Sequence, residues 1–214
     1  MARDDHPIVI GIGERIKQAE MQNTLEYYNK NAKSFVEGTL NVDFTKIQDA
    51  FLALLPEHGK ILDFGCGSGR DTKYFLDHGF QVDAMDGSLE LCKIAELYTG
   101  IHIDCGLFQE LNAVEEYDGI WACASILHVR KEELLNIFKR MSRATKEHGI
   151  VYISFKYGDF EGERNGRYFT DMTEDSMAEL LEKVPELEVE EQWITGDVRE
   201  GRGEERWLNM ILRK

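Results

Sequence analysis

The rhythm of apolar and polar positions changes near residue 59. Before it, the spacing of apolar residues predicts helix over 21–37, with Tyr27, Tyr28 and Phe35 near one side, and again over 44–55. The cluster Pro56-Glu57-His58-Gly59 ends the second of these. After it, short apolar strands are expected at 60–64, 81–85, 101–105, 119–124 and 150–155, with helices at 71–78, 89–97 and 131–146 between most of them. Strands that alternate with helices imply right-handed crossovers and a parallel sheet covered on both faces. The pattern then changes once more, to a helix over 173–184 and strands over 187–194 and 206–212. The link between those two strands is too short for a crossover helix, so they should pair antiparallel.

A chain of 214 residues with 43% hydrophobic and 30% charged residues fits one α/β domain. Residues 1–20, which include Pro7-Ile8-Val9-Ile10-Gly11-Ile12-Gly13, read as an extension ahead of that domain. The formal charge of −15 opposes a phosphate backbone and argues against nucleic acid as a partner. Cys66, Cys92, Cys105 and Cys123 form no CxxC pair and show no zinc spacing, so no metal is expected. The apolar runs fall short of the roughly 20 residues that a membrane span needs, and no leader pattern opens the chain. The expectation is a cytoplasmic protein with no membrane partner.

In an open parallel sheet, ligands bind beyond the carboxyl ends of the strands. Gly65-Cys66-Gly67-Ser68-Gly69 follows the first strand, where glycines permit positive φ and bring backbone close to a ligand. Short glycine repeats also arise by chance, as Gly11-Ile12-Gly13 does, so position decides. Asp63 closes the strand before the loop; it either organises the turn or faces a charged ligand group. Asp86 follows the second strand, where an acid can accept both hydroxyl hydrogens of an adenosine ribose. Its alternative is a helix cap with Gly87-Ser88. Past the third strand, Phe108 is placed either to pack on an adenine or to join the core. The fourth strand runs into Cys123-Ala124-Ser125-Ile126-Leu127-His128-Val129.

From Ile61 to Val129 the chain resembles class I S-adenosylmethionine-dependent methyltransferases. With Tyr27-Tyr28-Asn29 and Trp207-Leu208-Asn209 added, it looks most like the bacterial tellurite-resistance-like branch. The resemblance implies a Rossmann-like seven-stranded sheet, mostly parallel with an antiparallel last strand and helices on both faces. It further implies a single methyltransferase domain over 21–214, with a helical cap at 21–58, a cofactor half at 59–156 and a substrate half at 157–214. S-adenosylmethionine would be the cofactor and S-adenosylhomocysteine the product. The residues expected to hold it are Asp63, Gly65, Cys66, Gly67, Ser68, Gly69, Asp86, Gly87, Ser88, Phe108, Gln109, Ala124 and Tyr28. The Asp often found after the third strand in that family is replaced here by Phe108-Gln109-Glu110, which loosens the adenine assignment by a position or two.

Methyl transfer from a sulfonium needs in-line placement and exclusion of water more than it needs a base. His128 is the best-placed titratable group, read either as a base for a protonated acceptor or as a structural histidine. Arg164 and Arg167 follow the fifth strand, and Arg199, Arg202 and Arg206 lie between the last two strands or at the start of the final one. In so acidic a chain this bias suggests a small-molecule acceptor with an anionic group, touched by Tyr27, Arg167, Tyr168, Arg199 and Arg206. The competing reading pairs these arginines with Asp159, Glu161, Glu163, Asp197, Glu200, Glu204 and Glu205. A nicotinamide site would need GxGxxG, whereas Gly69 comes two residues after Gly67 and Arg70 follows. A tRNA or protein methyltransferase and a non-catalytic cofactor-binding protein stand as alternatives.

Overall fold

The computed structural model describes residues 12–199, 201 and 204–214. Alternation along the strands decides the layering. In β1 (Lys60–Phe64), Leu62 and Phe64 join one apolar cluster while Ile61 joins another on the opposite face. In β5 (Thr145–Lys156), Val151, Ile153 and Phe155 alternate in the same way with Ile150 and Tyr152. Strands buried on both faces need helices on both, and the sequence supplies them. The first cluster is completed by Leu134, Ile137, Phe138 and Met141 of α5 (Lys131–Ala144) and by Met177, Leu180 and Leu181 of α6 (Glu174–Leu181). The opposite face is covered by Phe51 of α2 (Thr45–Leu52), Phe75 of α3 (Arg70–Asp77), and Cys92 and Ala95 of α4 (Leu89–Thr99).

The main sheet has seven strands in the order β3-β2-β1-β4-β5-β9-β8. Here β2 is Gln81–Asp86, β3 Asp104–Cys105, β4 Tyr117–Ala122, β8 Glu188–Gly196 and β9 Arg206–Arg213. The last strand, β9, enters between β5 and β8 and runs antiparallel to both, as the short link before it requires. The fold is thus the Rossmann-like, mostly parallel sheet with an antiparallel final strand.

Four local features differ from the expectation. The strand expected over 101–105 is confined to β3, because the amide of Ile103 donates to Glu96 Oε1 of α4 at 3.1 Å instead of to the ladder. The fifth strand starts at Thr145, which pairs with Tyr117, so the preceding helix ends earlier than expected. The connection after β5 holds a two-stranded sheet, β6 (Glu161–Arg164) and β7 (Arg167–Thr170), turned by Asn165 at φ +52° and Gly166 at φ +76°. Asn-Gly is a strong signal for such a two-residue turn. Finally, helix α1 (Ile12–Thr39) runs unbroken across the boundary expected at residues 20 and 21. Lys17 pairs with Glu132 at 2.7 Å and Glu20 with Arg130, which ties this part of the helix to α5 and the loop before it. Residues 1–11 lie outside the described residues.

The carboxyl edge is organised around Asp71, at the start of α3. Its carboxylate receives Gln48 Nε2 of α2 at 2.6 Å, Trp121 Nε1 of β4 at 2.8 Å, and a two-bond fork from Arg70 at 2.7 and 2.9 Å. Removing one partner of a buried ion pair leaves the other charge uncompensated. Asp71→Ala is therefore expected to cost about 3 kcal/mol or more in urea denaturation. A loss below about 1 kcal/mol would show that Arg70 finds water instead.

Candidate functional site

The glycine loop is pinned from both sides. The amides of Gly65 and Cys66 both donate to the carbonyl of Met85 in β2 at 2.9 Å, and Ser125 Oγ donates to the carbonyl of Phe64 at 2.6 Å. Gly65 has φ +93°, and a Cβ there would stand 2.3 Å from that of Ser125. Gly67, at φ +55°, faces the ring of Phe35 from α1. Gly65, Cys66, Gly67 and Ser68 line a cleft of about 620 Å³ at the carboxyl edge. Two expected members lie elsewhere. Gly69 caps α3 against Ala95 and Thr99, and Asp63 is buried beneath the loop with Oδ2 accepting from Thr72 Oγ1 at 2.5 Å. Burial and the neighbouring Asp71 push the Asp63 carboxyl above its usual range. Asp63 takes the turn-organising alternative, and neither residue lines the cleft.

Asp86 closes β2 with its carboxylate oriented by backbone. Oδ2 accepts from the Gly67 amide at 2.9 Å and Oδ1 from the Ser88 amide at 2.8 Å. Each oxygen keeps a further lone pair for a ligand. Burial raises its pKa, opposed by the amides of Ser88, Gly67 and Gly87. Gly87 lines the cleft, whereas Ser88 turns inward as the N-cap of α4, accepting from Leu91 N and donating to Asn29 Oδ1 of α1. Phe108 and Gln109 line the same end, on a short turn fixed by Glu110 accepting the Leu107 amide at 2.7 Å. The Phe108 ring packs 4.7 Å from that of Phe64.

The opposite wall is built from α1, the loop after β4 and the β6–β7 hairpin. Ala124, at φ +49°, donates its amide to Ser154 Oγ at 2.8 Å and lines the cleft. His128 Nδ1 lies 2.6 Å from the carbonyl of Tyr168, and Nε2 lies 2.7 Å from the hydroxyl of Tyr28. Burial, with a smaller push from Arg167 and Lys156, brings the imidazole down to about 4, against the Tyr168 carbonyl, which favours the charged form. Its ring is therefore neutral near pH 7. Tyr168 itself is fixed by its amide donating to Thr24 Oγ1 at 2.9 Å and its hydroxyl to Glu161 Oε1 at 2.8 Å.

The arginines divide into distinct groups. Arg199 grips Asp197 through Nε at 2.9 Å; burial works against that carboxyl's ionisation, yet Arg199 and Trp207 hold it down at about 2. Arg164 pairs with Asp171. Arg206 stacks 5.1 Å from the Tyr157 ring beside a smaller cavity, outside the main cleft. Arg202 lies outside the described residues. Arg167 is different. Its guanidinium rests 4.4 Å from the Tyr27 ring and 5.1 Å from that of Phe169, and its Nη1 approaches Tyr28 Oη at 3.4 Å; its buried Nε, like that of Arg164, has no hydrogen-bond partner among the described residues. Among the described residues no carboxylate pairs with it. Tyr27 supports Arg167 from behind without lining the cleft.

Sequence reasoning also left out lining residues. Leu25 and Phe35 come from α1, and Arg70 and Lys156 from the ends of the loop and of β5. Lys156, the last residue of β5, was accessible from the rule that strand carboxyl ends face the ligand.

Residues 61–149 match the family described as a methyltransferase domain. The chain is similar to an uncharacterized methyltransferase of Staphylococcus carnosus, 26% identical over 178 residues that span 76% of this chain and 86% of that protein. It is also similar to the N-terminal Xaa-Pro-Lys N-methyltransferase 1 of Xenopus tropicalis, 28% identical over 158 residues, 64% of this chain and 70% of that protein. Among solved structures it resembles the 1,6-didemethyltoxoflavin-N1-methyltransferase of Burkholderia thailandensis with bound 1,6-didemethyltoxoflavin and S-adenosylhomocysteine. The TM-score is 0.74 at 21% identity, covering 98% of this chain and 92% of that one. Residues 61–149 thus carry a methyltransferase domain, set in a sheet that shares the fold of that solved structure.

The low proton affinity of His128 has a consequence for stability. Below its ordinary value of 6.5 the unfolded chain binds a proton that the folded ring resists. The stability tied to the neutral ring is full above about pH 6.5 and is lost as pH falls toward about 4. Denaturation of wild type and His128→Gln should therefore give a stability gap that narrows over this range. A gap independent of pH would show that the ring is not held neutral.

Proposed function

We propose that the chain transfers a methyl group to a small acceptor bearing an anionic group, seated between Tyr28, His128 and Arg167. Bound S-adenosylmethionine supplies a methyl carbon on a sulfonium, a good leaving group. The glycine cradle, which a Cβ at Gly65 or Gly67 would crowd, and the pre-oriented Asp86 fit that molecule. Asp86 would hold the ribose hydroxyls, with Gly87 beside it. Gly65, Cys66, Gly67 and Ser68 would run along the methionyl portion, with Ala124 across from them. Phe108 and Gln109 would frame the adenine.

The observation that carries the acceptor class is the guanidinium of Arg167, which has no carboxylate partner among the described residues. Arg164 and Arg199 have their own carboxylates and Arg206 faces away, so the anionic handle narrows from a loop full of arginines to this residue. Resting on Tyr27 and Phe169, its planar fork is held for a carboxylate or another oxyanion. The likeness to the tellurite-resistance-like branch keeps metalloid oxyanions within this class. No helix among the described residues is long and apolar enough to cross a membrane.

The test follows S-adenosylhomocysteine release across small acids, thiols, amines, metalloid oxyanions and a Xaa-Pro-Lys peptide. The peptide enters because of the Xenopus relative's name. Turnover with anionic acceptors and not with neutral analogues is expected. Silence throughout, with tight S-adenosylhomocysteine binding, would favour a protein that binds the cofactor without turning it over. Asp86→Asn should weaken S-adenosylhomocysteine binding by about tenfold to a hundredfold in calorimetry, the worth of a charge-assisted hydrogen bond. Arg167→Gln should raise the acceptor KM by a similar factor and leave cofactor affinity in place. Equal loss of both affinities in Arg167→Gln would count against the anionic handle.

A further inference from the structure

The wall opposite the glycine loop holds a chain of hydrogen bonds whose direction is set by chemistry. The carbonyl of Tyr168 can only accept, so Nδ1 of His128 carries the proton and donates to it at 2.6 Å. In the neutral ring Nε2 is then a bare acceptor, and the hydroxyl of Tyr28 donates to it at 2.7 Å. An acceptor molecule cannot reach Nε2 without displacing Tyr28. It can reach the Tyr28 oxygen, which retains acceptor capacity in the cleft that Tyr28, His128 and Arg167 all line. One side of that oxygen is approached by Nη1 of Arg167 at 3.4 Å.

We propose that Tyr28 takes the acceptor's proton while passing its own to Nε2 of His128, and that the acceptor's nucleophile is accordingly an O–H or N–H group that binds still protonated. This rests on the methyl-transfer reading above. As the acceptor's lone pair forms its bond to the methyl carbon, the carbon–sulfur electron pair stays on sulfur. The acceptor's proton moves to Tyr28 Oη and the tyrosine's proton to His128 Nε2. The positive charge that leaves the sulfonium reappears on the imidazolium, which later returns its proton through Tyr28 to solvent.

The surroundings suit a relay better than a fixed strut. Burial holds the Tyr28 phenol above its ordinary pKa, so it keeps its proton until transfer. Arg167 opposes that rise and steadies negative charge on the oxygen as its proton departs. The charged and titratable groups facing the pair are Arg167 on β7 and Lys156 on β5, the two cations that act on His128, with Arg199 after β8, Asp86 at the end of β2 and Tyr27 on α1. The two cations keep His128 unprotonated before the reaction and speed loss of the proton after it.

Two measurements test the relay. In the protein saturated with S-adenosylhomocysteine, nitrogen NMR of His128 near pH 7 should show a protonated Nδ1 and a bare Nε2; a protonated Nε2 would overturn the proposal. In turnover across the acceptor panel, Tyr28→Phe should lower kcat on O–H and N–H acceptors by about 10²–10⁴-fold. S-adenosylhomocysteine affinity should stay within about twofold, and acceptor KM should change far less than kcat, since most of the lost interaction belongs to the transfer step. The double variant Tyr28→Phe/His128→Gln should be no slower than the worse single one, because residues acting as a unit are not additive. Tyr28→Phe turnover within about threefold of wild type, additive losses, or loss of cofactor binding in Tyr28→Phe would each overturn the relay while leaving methyl transfer standing. Silence of the wild type across the panel would remove the transfer reading and the relay with it, whatever the tautomer.

Discussion

The carboxylate of Asp71 takes hydrogen bonds from α2, from β4 and from its own neighbour Arg70, and the geometry of the cleft follows from that convergence. It fixes where α3 begins, and so where the glycine loop must end. It also fixes the indole of Trp121, which stacks at 4.1 Å on Tyr152 of β5. The Tyr152 hydroxyl donates to Asn209 Oδ1 of β9 at 2.7 Å, and Asn209 Nδ2 donates to Thr195 Oγ1 of β8 at 3.0 Å. One buried anion is thereby linked through four central and outer strands to the rim of the cleft. Hydrogen bonds to both oxygens offset the desolvation of a buried carboxylate, whereas removing a partner leaves an uncompensated charge at a cost of about 3 kcal/mol or more.

Helix α1 turns that open edge into a cleft with two chemically different ends. Near Asp86, Asn29 accepts from Ser88 Oγ and from the Glu90 amide, holding the helix against α4. At the other end Thr24 accepts the Tyr168 amide and Tyr28 meets His128. The helix therefore spans the carboxyl edge as a strut whose side chains form part of the lining. An anion, Asp86, stands at one end, and a cation without a carboxylate partner among the described residues, Arg167, at the other.

What the sequence made legible follows from which signals are local. Strands β1, β2, β4 and β5 are apolar on both faces and read as continuous runs, so their positions were recoverable to within a few residues. The β6–β7 hairpin was not, because Glu161-Gly162-Glu163-Arg164 has no apolar alternation to betray it; its legible mark is the Asn165-Gly166 turn. The loop glycines and Asp86 were legible from order along the chain. The side to which each residue turns was not. Asp63, Gly69 and Ser88 are sequence neighbours of the cleft residues, yet Asp63 and Ser88 turn inward to bond Thr72 and Asn29, and Gly69 is closed in against Ala95 and Thr99 of α4. The pairing of Arg199 with Asp197 was a local reading, two residues apart. The isolation of Arg167 depends on Tyr27 and Tyr28, about 140 residues earlier in the chain, and no periodicity conveys that.

The division between the two ends bears on how one scaffold serves different reactions. A glycine loop and a ribose-holding acid specify a donor and leave the acceptor open. On this chain the cleft wall opposite the glycine loop comes from α1 and the hairpin, with His128 contributed by the matched segment 61–149. His128 alone, with Nδ1 committed to a carbonyl and a depressed proton affinity, would be a weak base aimed at no particular substrate. Tyr28 gives its free nitrogen a direction, and Arg167 gives the tyrosine oxygen a charge to work against. Exchanging those two contributions would redirect the chemistry without disturbing the strands or the loop beneath, which is the economy expected where function is carried by side chains grafted onto a stable sheet.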